Sequence, residues 1–315
     1  MTVQSKQTTT SDSTILIDGR GFGNYVEQYK KGRKNYQEEV IQLCASIVNN
    51  PRGPVLDLGA GTGISTRQLR QKFLYITGCD VDSKMIESAR SCFSEHISYK
   101  MASAQKLPFK NHKFSLVTSF ASFHWMTKTP YETAKTMKEI KRILVPGGAF
   151  FVVIKRNPAS YQTKTMEILK KYQQKKQNVN KPKQTATHFK NILKKFKLQG
   201  VTLKKFDTTE SHTLDEALAH CQSLTKWDLL SPVNQTRALK EIKANYEKQL
   251  EDQAKIGMSG KLLTRDVETF VVYGRTSQQR EKIITRASVP GYRLRSCFVP
   301  HHAVINAVIK SVIKS

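Results

Sequence analysis

No run of about eighteen consecutive apolar residues occurs in the sequence, which removes the ordinary signature of a membrane-spanning helix. The opening stretch MTVQSKQTTTSDST has no apolar core of the kind a secretory leader needs, so neither secretion nor membrane insertion is expected. Cysteine is sparse and unpaired in pattern. Cys44, Cys79, Cys92, Cys221 and Cys297 form no Cys-x-x-Cys motif and no even framework, which argues for buried thiols in a reducing cytoplasm and against a structural zinc site. No histidine or cysteine spacing suits a metal, and no serine–histidine–aspartate arrangement can be argued at any position. Acidic side chains are the scarcest charged group: 25 Asp and Glu face 52 Lys and Arg, for a formal net charge of +27. Such an excess attracts nucleic acid, acidic membranes or acidic substrates over long range without specifying which. Because lysine outnumbers arginine by more than two to one, a general lysine bias accounts for the charge equally well.

What is present is a repeated alternation of apolar strands and amphipathic helices. YQEEVIQLCASIVNN spaces Val40, Ile41, Cys44 and Ile47 as a helix, and RGP stops it. PVLDLG, LYITGCD, ISYKM, FSLVTSF and GGAFFVVI then read as five strands, with ISTRQLRQKF, SKMIESARSCF and TPYETAKTMKEIKRIL as helices among them. The last helix carries a Thr129/Glu132 capping box and Pro130 in its first turn. Strands that read as apolar runs between helices predict a parallel sheet covered on both faces, with ligands at the carboxyl ends of its strands.

After Lys155 the composition changes, residues 151–200 holding thirteen Lys or Arg and one acid, Glu167. Within this segment HFKNILKKFKLQG predicts an amphipathic helix stopped by Gly200. GVTLKKFDTT and ETFVVYGR supply a sixth and a seventh strand, and two helices lie between them, opened by Thr213/Glu216 and by Ser231-Pro232. The expected organisation is a disordered polar tail over 1–22, one domain over 23–275 with a basic helical insertion at 156–199 and a helical segment at 213–250, and a basic extension over 276–315. In that extension HHAVINAVIKSVIKS predicts a basic amphipathic helix, suited to docking on its own domain or to peripheral contact with an acidic membrane.

The glycines of VLDLGAGTG fall at 59, 61 and 63, whereas a dinucleotide fingerprint requires the third at 64, where isoleucine stands. Asp57 precedes the loop, where it can order the turn or accept hydrogen bonds from a ligand ammonium; beside a pyrophosphate it would be repelled. The loop therefore favours a cofactor without phosphates. Asp80, ending the second strand, is positioned to take both hydroxyls of a ribose.

These residues, together with GCDVDSKM, MASAQKLPF, FSLVTSFASFHW and ILVPGG in that order, resemble the class I S-adenosylmethionine-dependent methyltransferases, in particular the small-molecule branch of trans-aconitate and ubiquinone-biosynthesis enzymes. The resemblance covers about residues 25–275. It implies an α/β, Rossmann-like, mostly parallel seven-stranded sheet with helices on both faces, a reversed last hairpin and a helical insertion after strand five. It further implies that Gly59, Ala60, Gly61 and Gly63 admit the methionyl part of S-adenosyl-L-methionine, that Asp80 holds its ribose, and that Val81 and Met85 flank its adenine. Ala104 would offer its backbone N–H, while Gln105 stands where the family has an acid. Tyr29, Arg33 and Tyr36 of YKKGRKNY would fold over the methionine end, Lys34 replacing the usual proline. Ser103 and Ser119 are further contact candidates.

Because the sulfonium methyl is already activated, such an enzyme mainly positions the acceptor in line with it. His124, in FASFHWM, is the one histidine at the expected active edge, able to take a proton or to orient an anion; Trp125 would wall the acceptor. No Asn/Asp-Pro-Pro-Tyr and no Pro-Cys follows the fourth strand, which disfavours methylation of nucleic-acid bases at exocyclic nitrogen or pyrimidine C5. The leading expectation is methyl transfer to a small, anionic organic acceptor at a carboxylate or hydroxyl oxygen. Its rivals are a tRNA-modifying methyltransferase that grips phosphates with residues 155–205, and a non-catalytic RNA-binding protein that keeps the fold.

Overall fold

The computed structural model describes residues 21–92, 94–158, 163–173, 185–257 and 260–278. The expected tail, apart from Gly21 and Phe22, lies outside them, as does the expected C-terminal amphipathic helix. Gly21 and Phe22 belong to a short 3-10 helix, Gly21–Tyr25, that leads into α1 (Val26–Gly32) and α2 (Glu38–Ser46). The chain then alternates β1 (Val55–Leu58), α3 (Ile64–Leu69), β2 (Ile76–Asp80), α4 (Ser83–Ser91), β3 (Ile97–Met101), β4 (Phe114–Phe120), α5 (Pro130–Ile143) and β5 (Leu144–Arg156). It continues through α6 (Lys164–Tyr172), α7 (Ala186–Lys195), β6 (Gln199–His212), α8 (Leu214–Gln222), α9 (Pro232–Lys255) and β7 (Leu263–Arg275). The seven strands form one sheet in the order β3-β2-β1-β4-β5-β7-β6, parallel through β5 and antiparallel where β7 meets β5 and β6. The Rossmann-like sheet with its reversed last hairpin is therefore present.

Strand periodicity divides the core between the two faces. Phe150, Val152 and Ile154 of β5 pack with Met137 and Ile140 of α5 and with Phe189 and Leu193 of α7. Their neighbours Phe151 and Val153 pack with Val40, Ile41 and Cys44 of α2 and Leu69 of α3. A third cluster, including Ile168, Leu169, Trp227, Ala238 and Ile242, joins α6 and α9 to the segment after α8. The Thr129/Glu132 and Thr213/Glu216 capping boxes both form, and Ser231 caps α9.

One helix ends differently from expectation. Lys197, at φ 60°, is the left-handed residue that closes α7; its N–H donates to Lys194 O, and Leu198 N donates to Leu193 O. This is a Schellman motif with lysine where glycine is usual, and the buried Leu198 completes its apolar contact. Gly200, also left-handed, instead serves a register shift at the start of β6. A lysine at positive φ carries strain that glycine lacks, partly offset by the greater freedom of glycine in the unfolded chain. Lys197→Gly should accordingly raise unfolding free energy by about 0.5–1 kcal/mol in urea titrations; an unchanged or lower midpoint would show that the turn is not strained.

Candidate functional site

The turn from β1 into α3 is organised around one buried carboxylate. In the parallel register Asp57 lies between Gly78 of β2 and Thr118 of β4, so the Thr118 hydroxyl donates to its Oδ1 at 2.9 Å. Its Oδ2 accepts from Ser65 and Thr66 in the first turn of α3, each at 2.7 Å. Burial raises the pKa of Asp57, and these three hydroxyls pull it back. Three hydroxyls from α3 and β4 converge on it, which makes Asp57 the anchor of the loop.

That anchor fixes a turn in which Gly59, Gly61 and Gly63 all adopt positive φ. A Cβ at Gly59 would lie 2.3 Å from Ser122 Oγ, whereas one at Gly61 would meet nothing within 4 Å. Gly59 thus permits close packing against the segment after β4, and Gly61 faces open space. Asp80, at the end of β2, accepts from Gly61 N at 2.8 Å and from Asp82 N at 3.0 Å, tying the loop to the next strand. Burial raises its pKa against the pull of these backbone donors. Asp82 in turn caps α4 and accepts from Gly23 N at 3.0 Å, which brings the N-terminal segment over the strand ends.

The result is a cavity of about 530 Å³ at the carboxyl edge of the sheet. Gly59, Gly61, Asp80, Val81 and Met85 line it. Val81 is an aliphatic side chain left 42% exposed, and Met85 is buried. Ser103, Ala104 and Gln105 continue the wall after β3, with the Ser103 hydroxyl bonded to the Gln105 side chain. His124 and Trp125 line it after β4, their rings 4.8 Å apart. Burial, and secondarily the charge of Lys128, pushes the His124 imidazole down to about 3. It is neutral across the physiological range.

Tyr29 and Arg33 also line the cavity, the Arg33 guanidinium standing over the Tyr29 ring and donating to the side chain and carbonyl of Ser223. Four candidates stand behind the wall. Asp57 is turned into the loop; Gly63 faces Tyr99; Ala60 is buried, its N–H given to Cys79 O; and the buried Ser119 pairs with Ser122. Tyr36 is likewise outside the lining, locked to Gln68 by two hydrogen bonds and packed on Phe120.

Residues 56–152 match the model of a methyltransferase domain. An uncharacterised methyltransferase of Mycobacterium tuberculosis is 28% identical over 132 residues, covering 42% of this chain and 51% of that protein. The ubiquinone/menaquinone biosynthesis C-methyltransferase of Desulfotalea psychrophila is 31% identical over 99 residues, 30% of this chain and 39% of that protein. The chain spans about half the length of the curated relatives it matches first. A protein described as a type II methyltransferase from Anaeromyxobacter dehalogenans has the same fold at TM-score 0.55 and 16% identity, over 78% of this chain and 99% of that one. Phosphoethanolamine N-methyltransferase 2 of Haemonchus contortus, solved with phosphomonomethylethanolamine and S-adenosylhomocysteine, does so at TM-score 0.51 and 16% identity, over 82% of this chain and 60% of that one.

Residues 56–152 thus carry a methyltransferase domain, and the fold around it is that of the class I methyltransferases.

The cofactor of such domains, S-adenosylmethionine, fits what the cavity offers. Asp80 supplies a carboxylate for hydroxyls, Val81 an exposed aliphatic face for a flat ring, and Gly61 free space at the backbone. The volume lies within the range of small-molecule sites. Sequence reasoning missed Phe22, which lines the cavity and packs edge-on against Tyr29 and Trp125. The glycine on each side of it was the available signal: a Cβ at Gly23 would lie 2.4 Å from Asp82 Oδ1. Lys128, Leu224 and Thr225 were missed as well, the last two arriving from beyond α8 with no local signature. Among the described residues no cluster of three or more His, Cys, Asp or Glu could hold a metal ion, and no helix is long and apolar enough to cross a membrane.

Asp57→Ala leaves three hydroxyls without their acceptor and should cost about 2–3 kcal/mol of stability in urea unfolding; a loss under half of that would deny Asp57 its anchoring role. His124 stays neutral in the folded chain below its ordinary value of 6.5, while the unfolded chain takes up a proton there, so this group lowers stability as pH falls through 6.5. Its share of the slope approaches about 1.4 kcal/mol per pH unit, and His124→Gln should flatten the measured stability–pH curve between neutrality and mild acid. An unchanged curve would mean that His124 accepts its proton in the folded state.

Proposed function

We propose that this protein transfers a methyl group from S-adenosylmethionine to an oxygen of a small organic acceptor, a carboxylate or hydroxyl, bound beside His124 and Trp125. The observation that carries the reading is one cavity whose lining includes both Asp80, Val81 and Met85 and His124 and Trp125. When bound, the cofactor supplies an electrophilic methyl group.

The protein's own contribution is positional. Asp80 accepts hydrogen bonds from the ribose hydroxyls, and Val81 and Met85 bracket the adenine. Gly59 and Gly61 let the methionyl part approach the backbone, while Ser103, Ala104 and Gln105 supply polar atoms along the wall. Tyr29 and Arg33 close over the methionine end with Phe22, which limits water at the reacting atoms. His124 meets the acceptor as a neutral imidazole. Its depressed basicity makes it a weak proton acceptor, so a hydrogen bond that orients the acceptor suits it better than proton removal. This favours the carboxylate, already nucleophilic, over a hydroxyl that must first be deprotonated. In the lining the cations Arg33, Lys128 and Lys155 outnumber the acids Asp80 and Glu132, which suits an anionic acceptor.

The basic segment gives less support to an RNA substrate. Among the described residues of 155–205, only Lys155 lines the cavity, and Lys171 is engaged with Glu241. Cysteines without paired spacing accord with a cytoplasmic setting, and the extended domain 23–275 is taken as the functional unit.

A screen of small organic acids, alcohols and tRNA with labelled cofactor tests the acceptor class: transfer to an acid is expected, and transfer to tRNA alone would overturn the reading. Asp80→Ala removes charged acceptors of hydrogen bonds worth about 1.5–3 kcal/mol, so cofactor affinity should fall roughly tenfold to a hundredfold by calorimetry. His124→Ala should leave that affinity in place and lower turnover, and an unaltered rate on the true acceptor would return His124 to a packing role.

A further inference from the structure

A second cavity, of about 280 Å³, adjoins the first: Arg33, Lys155 and Leu224 line both. Its lining contains Arg33, Lys34, Lys155, Arg156, Lys164 and Arg265, and among the described residues no carboxylate. The acids that answer these cations stand outside the lining. Lys34 pairs with Glu216, Arg156 with Glu268, and Lys164 with Glu167, while the buried Glu210 serves both Lys155 and Arg265. Six cations therefore meet four carboxylates, and Glu268 is shared further with Lys205.

Two features mark the wall as organised for a ligand. Arg265 is held by Glu210 and by the His220 ring, whose other nitrogen bonds Gly32 O, yet the Arg265 Nε is buried without a partner. His212, with only 4% of its side chain exposed, lines the same cavity, and its Nδ1 also lacks a partner. Unsatisfied polar atoms at that depth are costly and rare unless something else completes them. Met166, Leu224, Leu263 and Val267 add apolar side chains to the wall, beside the polar Asn157, Thr163, Thr165, Tyr246, Gln249 and Thr264.

We infer that the second cavity binds the oxyanion of an amphipathic organic acid, a carboxylate or phosphate whose aliphatic part lies on these apolar side chains and whose other end extends toward His124 in the first cavity. This deepens the proposed function and rests on it: the acceptor is an organic anion recognised at a charge distinct from the methylated atom.

The probes are hexanoate, hexyl phosphate and, as the cationic control, hexylammonium, titrated calorimetrically into the full chain saturated with S-adenosylhomocysteine. One or both anions should bind and hexylammonium should not; the tighter anion names the headgroup. His212→Phe should weaken that anion at least tenfold, and the surface pair Arg156→Gln/Lys164→Gln should weaken it severalfold, with adenosylhomocysteine affinity unchanged in both. Anions that bind no better than hexylammonium, or that bind the surface pair variant as tightly as the wild type, overturn the anion site while leaving the methyltransferase reading standing. Failure of the wild type to bind adenosylhomocysteine removes that reading, and the inference with it.

Discussion

The site depends on one buried carboxylate. Asp57 joins the end of β1 to the first turn of α3 and, across the sheet, to Thr118 of β4, so three separate elements share one acceptor. The glycine loop can take its positive-φ path because its two ends are pinned there, and Asp80 then receives the Gly61 N–H at 2.8 Å. A carboxylate in that position costs desolvation, which its raised pKa records. Three hydroxyl donors offset the cost, and the product is a rigid floor on which a charged cofactor can be held without reorganisation.

Above that floor the walls come from elements far apart in sequence. The 3-10 helix at Gly21–Tyr25 reaches the cavity because Gly23 can sit on Asp82, and α1 follows because the Gly32 carbonyl and the Arg33 guanidinium engage His220 and Ser223 near the end of α8. Gly32 has no alternative side chain: a Cβ there would stand 2.2 Å from His220 N. The same contacts carry Arg33 to the boundary between the two cavities. The cover of the cofactor site and the wall of the neighbouring cationic cavity are therefore built from one set of interactions.

Much of this was legible in the sequence, and for a physical reason. Strand and helix periodicities, caps and the glycine spacing are local, so the sheet, the capping boxes, the loop and Asp80 follow from neighbouring residues alone. Asp57 was open between ordering a turn and meeting a ligand, because the decision belongs to Thr118, a partner brought in by strand register. Phe22 was assigned to a polar tail since its packing against Tyr29 and Trp125 is tertiary. Gly200 was expected to stop α7, whereas burial of Leu198 draws the stop to Lys197 and leaves the glycine to a β-bulge. Lys155 was legible as the start of a basic segment, but its desolvation beside Glu210 has no sequence signature.

Assignment of the cavity lined by Asp80 and Trp125 as the S-adenosylmethionine site is the central proposal. A crystal structure of the full chain grown with S-adenosylhomocysteine measures it directly. The account predicts density for the nucleoside with its ribose hydroxyls on the Asp80 carboxylate, its adenine against Val81 and Met85, and its sulfur facing the His124–Trp125 wall. Well-ordered adenosylhomocysteine elsewhere on the chain, or a ribose held by residues other than Asp80, would contradict it.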